Sequence, residues 1–314
     1  KRQGITMGDP AGVGPDILVK ALADRAIYDL CRPVVLGHPG VISSAMLRTS
    51  QVMSLNIVSS PSEAMAIPGK MDLMSICELK GETVLPGKPT VEGGKVMVEY
   101  IIRAVEMTLR GELGAMVTCP ISKILMHQAE HPYGGHTQLI SHLTGTQDYV
   151  MMLAGERLRV ALVTTHCPLK EVPAILEMER IFKTITITAK ALREDFGFEK
   201  PRLAVAALNP HAGESGLFGL EEEEIIRPAV NRARGKGYHV VGPLPSDTLF
   251  HKAASGQFDA VVAMYHDQGL IPLKLLHFSD GVNVTLGLPI IRTSVDHGTA
   301  YDIALSLIHI SEPT

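Results

Sequence analysis

Short apolar runs recur along the chain, separated by longer segments in which apolar and polar residues are mixed. The runs cover residues 34–36, 115–117, 160–163, 203–207 and 260–264. Because every position within a run is apolar, the pattern is typical of strands that are buried on both faces of a parallel sheet.

Two of the intervening segments have the pattern of a helix. Residues 93–110 contain an apolar stripe formed by Val98, Ile101, Ile102, Val105 and Leu109. Such a stripe predicts an amphipathic helix. Residues 221–235 begin with acidic residues and end with basic ones, the order that the helix dipole favours. We interpret the acidic run at 221–224 as a solvated first turn.

The alternation of strands and helices predicts an α/β fold with largely parallel sheets. A chain of 314 residues is long enough for about two domains. Since neither a low-complexity linker nor an internal repeat separates them, the two domains are expected to share strands or to interleave.

Composition narrows the class of protein. The sequence is 46% hydrophobic and 20% charged, with a net charge of -4. This balance predicts a globular protein without a general attraction to nucleic acid or to an anionic membrane. The four cysteines are scattered without a C-x-x-C pair, so we expect neither a zinc ribbon nor a disulfide framework. With no signal peptide and no long apolar run, we expect a cytoplasmic location.

The two ends of the sequence differ from this pattern. The first residue is Lys1 rather than methionine, so the sequence is expected to begin inside a reading frame or after processing. Residues 305–314 resemble the translation of a sequencing adapter, and a genuine short tail is the alternative. Under the adapter interpretation, the natural protein continues beyond residue 304 with a different segment.

Three histidines, His166, His211 and His266, each come shortly after one of the apolar runs. In parallel sheets, ligands bind beyond the carboxyl ends of the strands. Three neutral imidazoles can hold a divalent ion and leave positions open for a substrate. We therefore predict a catalytic metal site, and three separate loop histidines are the alternative. Imidazole ligands favour zinc or cobalt, with magnesium and manganese as further candidates.

Other segments carry candidate binding residues. The glycine-rich stretch at 5–17 can bring backbone amides close to a ligand, although it matches neither the Rossmann nor the P-loop pattern; a plain tight turn is the alternative. His136 and Thr137 follow a glycine pair and are candidates for ligand recognition, with Thr137 alternatively an N-cap. Lys274 and Arg292 lie in apolar runs, where a cation needs an internal carboxylate or an anionic substrate.

These motifs together resemble a known family. The segments ITMGDPAGVGP, GGHT, NPHAGE, AMYHDQG and VNVTLGLPIIRTSVDHGTA are similar to those of the PdxA family, the 4-hydroxythreonine-4-phosphate dehydrogenases. The resemblance implies a two-domain fold similar to that of isocitrate and isopropylmalate dehydrogenases, with NAD as oxidant and a divalent metal. It also implies a homodimer whose active site is shared between subunits.

The resemblance assigns roles residue by residue. His166, His211 and His266 match the metal ligands. The residues that match substrate contacts are His136, Thr137, Lys274, Asn283 and Arg292.

The segment at 296–304 is similar to the adenosine-binding loop of isopropylmalate-type dehydrogenases, which accounts for the missing Rossmann pattern. The similarity implies that His297 lies by the adenine and that Asp302 accepts from the ribose hydroxyls; a loop with a solvated Asp302 is the alternative. We accordingly expect an NAD-binding domain over 1–130 and 255–304, and a substrate and dimerisation domain over 131–254.

The sequence differs from that of biosynthetic family members at several positions, and these differences indicate which substrate to expect. Biosynthetic members usually have glutamate where this chain has Gln138, and GESGLFGLEEEEI and LKLLHFSDGVN are closer to a catabolic branch. That branch oxidises 4-phospho-D-threonate or 4-phospho-D-erythronate. We expect oxidation of the C3 hydroxyl of one of these acids, followed by decarboxylation of the 3-keto acid. The alternative substrate is the 4-hydroxythreonine phosphate of pyridoxal phosphate biosynthesis.

A general base must take the hydroxyl proton, and the candidates are Asp267, Asp247 and Lys274, of which Lys274 more simply binds an anion. A metallohydrolase could use the same three histidines but would not need a nucleotide loop. A non-catalytic binding protein would need neither three convergent histidines nor buried cations.

Overall fold

The computed structural model describes residues 1–79 and 84–304, so the tail interpretation at 305–314 lies outside the described residues. The strands of this part are β1 (Arg2–Thr6), β2 (Arg32–Gly37), β3 (Ser54–Ile57), β4 (Lys70–Ser75), β5 (Ala115–Thr118), β6 (Val150–Ala154), β7 (Arg159–Leu162), β8 (Leu203–Ala206), β9 (Val240–Leu244), β10 (Ala260–Ala263), β11 (Val282–Leu286) and β12 (Arg292–Ser294). The α-helices are α1 (Gly14–Ala23), α2 (Ala26–Leu30), α3 (Pro39–Arg48), α4 (Val91–Leu109), α5 (Lys123–Gln128), α6 (His136–Leu143), α7 (Val172–Ile175), α8 (Met178–Glu194), α9 (Arg227–Gly235), α10 (Ser246–Ala254) and α11 (His266–Leu276). In the described part of the chain, no helix is both long and apolar enough to cross a membrane.

The chain divides into two compact units. Among the described residues, the first unit contains 1–79, 84–147 and 288–304, and the second unit contains Asp148–Gly287. The first unit is therefore discontinuous in sequence. Its bounds differ from the expected ones, because residues 131–147 belong to the first unit and residues 255–287 belong to the second. The assignment of NAD binding and dimerisation to particular segments stays a prediction.

The sheet of the first unit is entirely parallel, with strand order β3-β4-β2-β1-β5-β12. Helix α4 packs beside this sheet, and the side chain of Thr90 caps it by accepting from the backbone nitrogen of Gly93 at 3.0 Å. The predicted apolar stripe of this helix is buried at Val98, Ile101 and Val105, whereas Leu109 at the helix end is exposed. Leu109 therefore does not belong to the core.

The sheet of the second unit is mixed, with strand order β11-β6-β7-β10-β8-β9. Strands β7, β10, β8 and β9 run parallel, and β6 pairs antiparallel with both β7 and β11. Successive side chains of β10 point to opposite faces of the sheet. Val262 belongs to the apolar cluster that contains Ile185 and Val205, whereas Val261 belongs to a second apolar cluster. Both faces are thus covered by apolar side chains, which is why the run is apolar throughout.

All five apolar runs form strands, namely β2, β5, β7, β8 and β10. The predicted α/β fold with largely parallel sheets is therefore confirmed. Segment 221–235 is also helical, as a π-helical turn over Glu222–Ile226 that continues into α9.

The interpretation of the acidic run as a solvated turn is wrong for Glu222. Its side chain is fully buried, and Oε1 accepts from the backbone nitrogens of Leu208 at 2.8 Å and Asn209 at 2.7 Å. Its other oxygen accepts from Nδ2 of Asn209 at 3.0 Å. Glu223 and Glu224 remain exposed. A buried carboxylate needs such donors, so Glu222 anchors the loop that follows β8.

Candidate active site

The loops after β7 and β10 carry two of the predicted metal ligands. Because these strands are parallel neighbours, the loops at their carboxyl ends lie side by side. The ring centroids of His166 and His266 are 5.7 Å apart. This separation suits two ligands of one ion, since each metal–nitrogen bond is about 2 Å long. A cleft of ≈ 510 Å³ is lined here by residues that include Thr165, His166, Cys167, Tyr265, His266 and Asp267.

The orientation of His266 is fixed by its neighbour and by its helix. Nδ1 of His266 and Oδ1 of Asp267 are 2.7 Å apart, which leaves Nε2 for a ligand. Metal-binding histidines commonly have such a carboxylate on the second nitrogen, so this contact favours an orienting role for Asp267 over the predicted role of general base. A Cβ atom at Gly269 would lie 2.5 Å from Cγ1 of Val160, so glycine lets α11 approach the sheet.

His211 is placed differently. It is exposed and begins a run of five left-handed residues, 211–215, with φ values of 52, 55, 81, 44 and 57°. Its ring faces Phe218, with centroids 6.3 Å apart. Among residues 1–79 and 84–304, no group of three or more His, Cys, Asp or Glu side chains has the arrangement of a metal site. The structure thus brings His166 and His266 together but not His211, and the three-ligand site stays a prediction.

In the first unit, Arg292 is a buried cation. Its side chain is 2% exposed on β12, and one terminal nitrogen donates to Oγ1 of Thr118 at 2.7 Å. Burial lowers the pKa of Arg292 to about 10, so the guanidinium stays charged at neutral pH. The net effect of its surroundings is to disfavour the charge, and an anionic ligand would relieve this penalty.

His136 lies near Arg292 as the first residue of α6. Burial, and then the charge of Arg292, lower the pKa of His136 well below its ordinary value, so its imidazole is neutral. The ring bonds to the backbone of Cys119. Nε2 is buried and has no hydrogen-bond partner in the described part of the chain. A buried cation therefore lies close to a neutral imidazole with one unused nitrogen.

The other predicted substrate residues are less enclosed. Thr137 lies inside the first turn of α6, where Gly135 is the N-cap, so the alternative role of Thr137 as N-cap is wrong. In the second unit, Lys274 is half-buried on α11 and is thus less enclosed than its apolar run suggested. Asn283 lies on β11, and its Oδ1 is buried without a hydrogen-bond partner among the described residues. Asp247, a candidate base, is exposed and accepts from its neighbour's backbone nitrogen at 2.9 Å.

The predicted nucleotide residues His297 and Asp302 are both exposed. The loop between them contacts the glycine-rich stretch of the first unit: the backbone nitrogen of Val13 donates to the carbonyl of Thr299 at 3.0 Å. The stretch at 5–17 therefore supports this loop.

Sequence reasoning missed Gln268, which joins the ends of β8 and β10 to the start of α10. Its Nε2 donates to the carbonyl of Ala207 at 2.6 Å and lies 2.9 Å from Oγ of Ser246, while Oε1 accepts from the backbone nitrogen of Met264 at 2.6 Å. The sequence feature that could have identified Gln268 is its position directly after the polar pair at 266–267.

Comparisons with known proteins identify the same family as the sequence motifs. The profile of the family described as "Pyridoxal phosphate biosynthetic protein PdxA" matches residues 29–311. The chain belongs to the PdxA family. It is 54% identical over 301 residues to a 4-hydroxythreonine-4-phosphate dehydrogenase of Desulforapulum autotrophicum, covering 96% of this chain and 88% of the relative. It is 45% identical to the D-threonate 4-phosphate dehydrogenase of Salmonella typhimurium, covering 97% and 93% of the two chains.

A solved structure of 4-hydroxythreonine-4-phosphate dehydrogenase from Klebsiella pneumoniae superposes on this PdxA-family chain with a TM-score of 0.92. The two are 44% identical, and the match covers 98% of this chain and 92% of the other. The predicted family and enzyme class are thus confirmed: the chain is an oxidoreductase of the dehydrogenase type. The metallohydrolase and non-catalytic alternatives are set aside.

Proposed function

We propose that this PdxA-family chain uses NAD to oxidise the C3 hydroxyl of a 4-phosphorylated four-carbon hydroxy acid. The pairing of Arg292 with His136 carries this proposal. The buried guanidinium suits a phosphate or carboxylate, and the unused Nε2 of the neutral imidazole suits a hydroxyl donor. One ligand with both groups, a phosphorylated hydroxy acid, matches the pair.

In the reaction, a hydride leaves C3 for NAD and the hydroxyl proton passes to a base. The resulting 3-keto acid loses carbon dioxide, and a cationic side chain can stabilise the enolate that remains. Lys274 and Asn283 are further proposed substrate contacts. Of the candidate bases, Asp247 and Lys274 are retained, since Asp267 bonds to His266.

His166 and His266 are the residues that would hold a divalent ion, with imidazole donors that favour zinc or cobalt. Such an ion, when bound, polarises the substrate hydroxyl and makes it more acidic.

The side chain at position 138 favours 4-phospho-D-threonate, or 4-phospho-D-erythronate, as the substrate. These acids have a hydroxyl at C2, where 4-hydroxythreonine phosphate has an ammonium. Gln138 lies in the first turn of α6, beside Thr137, and its neutral amide suits a hydroxyl better than an ammonium. The relative at 54% identity favours 4-hydroxythreonine phosphate instead, which makes this the second candidate.

Assays with NAD and each of the three acids are expected to show NADH formation, with the highest kcat/KM for a C2-hydroxy acid. Q138E is expected to shift the preference toward the amino acid by about fivefold, because an exposed ion pair contributes at most about 1 kcal/mol. Q128E, which changes an exposed glutamine of α5, is the matched control. Absence of NADH with all three acids would refute the proposed function; preference of the wild type for the amino acid would select the second candidate.

We also propose that the chain forms a homodimer through an exposed apolar surface of the second unit. Ile271, Leu275 and Phe278 are 67, 84 and 74% exposed, and Ile271 and Leu275 lie one turn apart on α11. Exposed apolar patches of this kind mark protein interfaces. Because α11 also carries His266 and Lys274, a partner there would lie beside the proposed site, as a shared active site requires.

Light scattering of the wild type is expected to give twice the chain mass of 33.8 kDa. The double variant I271E/L275E is expected to be monomeric, because the charges would have to be desolvated in the interface. L30E, at an 83% exposed leucine of α2, should leave the mass unchanged. A monomeric wild type would contradict the proposal.

A further inference from the structure

The glycine-rich turn of the first unit is joined to the loop at 296–302 by two hydrogen bonds. Oη of Tyr301 donates to Oδ2 of Asp9 at 2.5 Å, and the backbone nitrogen of Val13 donates to the carbonyl of Thr299 at 3.0 Å. A Cβ atom at Gly12 would lie 3.0 Å from the same carbonyl. Glycine at this position therefore allows the two segments to meet.

Asp9 is held in place from several sides. It is fully buried, its Oδ1 accepts from the backbone nitrogen of Ala11 at 2.9 Å, and its own nitrogen donates to the carbonyl of Pro120 at 2.9 Å. Gly8, just before it, has a φ of +75°, and a Cβ there would lie 2.4 Å from the same carbonyl of Pro120. These contacts hold the Asp9 side chain independently of its bond to Tyr301.

Burial raises the pKa of Asp9, although its bonds to Tyr301 and Ala11 oppose the effect. Burial, and then the bond to Asp9, raise the pKa of Tyr301. The phenol therefore keeps its proton at physiological pH and remains the donor. Keeping a carboxylate in such a place is unfavourable, which points to a role beyond filling space.

We infer that Asp9 and Tyr301 are positioning residues for the proposed nucleotide loop. Tyr301 directly precedes Asp302, and His297 and Asp302 are themselves exposed, so the contacts of the loop backbone set where these two side chains lie. A loop that is ordered before binding loses less conformational entropy when the ligand arrives. The inference rests on the proposed role of this loop in binding NAD.

The test compares NAD binding to the wild type, Y301F and D9N by isothermal titration calorimetry. Both variants are expected to raise the Kd for NAD on the order of tenfold, because a loop that this hydrogen bond no longer holds must be ordered when NAD binds. The KM for the phosphorylated acid should change far less. Y28F is the matched control, since Tyr28 belongs to the first unit and donates to the carbonyl of Leu22 at 3.1 Å.

The outcomes separate the inference from the function on which it rests. A wild type that binds no NAD would refute the proposed function itself. A wild type that binds NAD, together with Y301F and D9N of unchanged Kd, would overturn the inference alone. Equal losses of affinity for NAD and for the acid would also overturn it, because they would indicate general damage. Thermal unfolding of each variant identifies such damage, and Y301F, which removes one oxygen, is the milder change.

Discussion

Replacing Arg292 with methionine is expected to lower kcat/KM for the phosphorylated acid by on the order of 10²–10³-fold. Loss of one partner from a buried, hydrogen-bonded charge pair costs about 2–5 kcal/mol, and each 1.4 kcal/mol corresponds to about a factor of ten. The guanidinium is 2% exposed and remains charged, so water cannot take over its role toward the anion. Steady-state kinetics at several concentrations of the acid and of NAD measure the effect.

Two further variants locate the origin of that loss. R292K keeps the charge but not the planar fork, and it is expected to recover only part of the activity, since a point charge binds an anion through fewer bonds. R32M, at an exposed arginine of β2, should have wild-type kinetics. Thermal unfolding must show that R292M remains folded, because Arg292 also bonds to Thr118. A folded R292M with unchanged kcat/KM would exclude Arg292 from substrate binding.

The fold could be predicted from the sequence where a single physical cause, burial on both faces of a sheet, determines the pattern of apolar residues. Strand β10 and residues 160–162 of β7 are apolar at every position because apolar layers cover both faces of the sheet, and this produces a recognisable pattern in the sequence. The burial of Glu222 produces no such pattern. Four consecutive acidic residues look solvated, and only the return of residues 208–209 to this helix supplies the donors that bury one of them.

In the candidate site, too, the sequence could predict the positions of some residues but not of others. His166 and His266 could be predicted to lie at one edge of the sheet because each follows an apolar run typical of a parallel strand. The structure shows that their two strands are parallel neighbours. The position of His211 could not, since the loop after β8 places Ala212, Glu214 and Ser215 in the left-handed region, which residues with a Cβ rarely adopt. The contact between Arg292 and Thr118 depends on the pairing of β12 with β5, and no local pattern specifies it.

Replacing His266 with alanine is expected to abolish binding of the proposed divalent metal and, with it, NADH formation. Loss of a direct ligand should weaken metal binding by more than the about 10–100-fold that follows loss of an outer hydrogen-bonding partner. H166A should have the same effect, since the two rings face one another across 5.7 Å. D267N, which alters the group that orients His266, should fall in the about 10–100-fold range. Metal content after dialysis and zinc titration of each variant provide the measurements.

H239A, at an exposed histidine of the second unit, is the matched control and should retain its metal. H211A tests the third predicted ligand: a loss as large as that of H266A would mean that the loop at 211–215 leaves its left-handed turn to reach the ion. Release from that turn would relieve the cost of left-handed backbone, which is about 1–2 kcal/mol for each residue with a side chain, and coordination of the ion would add to this gain. Full metal retention by H166A and H266A would remove the basis for a metal site at these histidines.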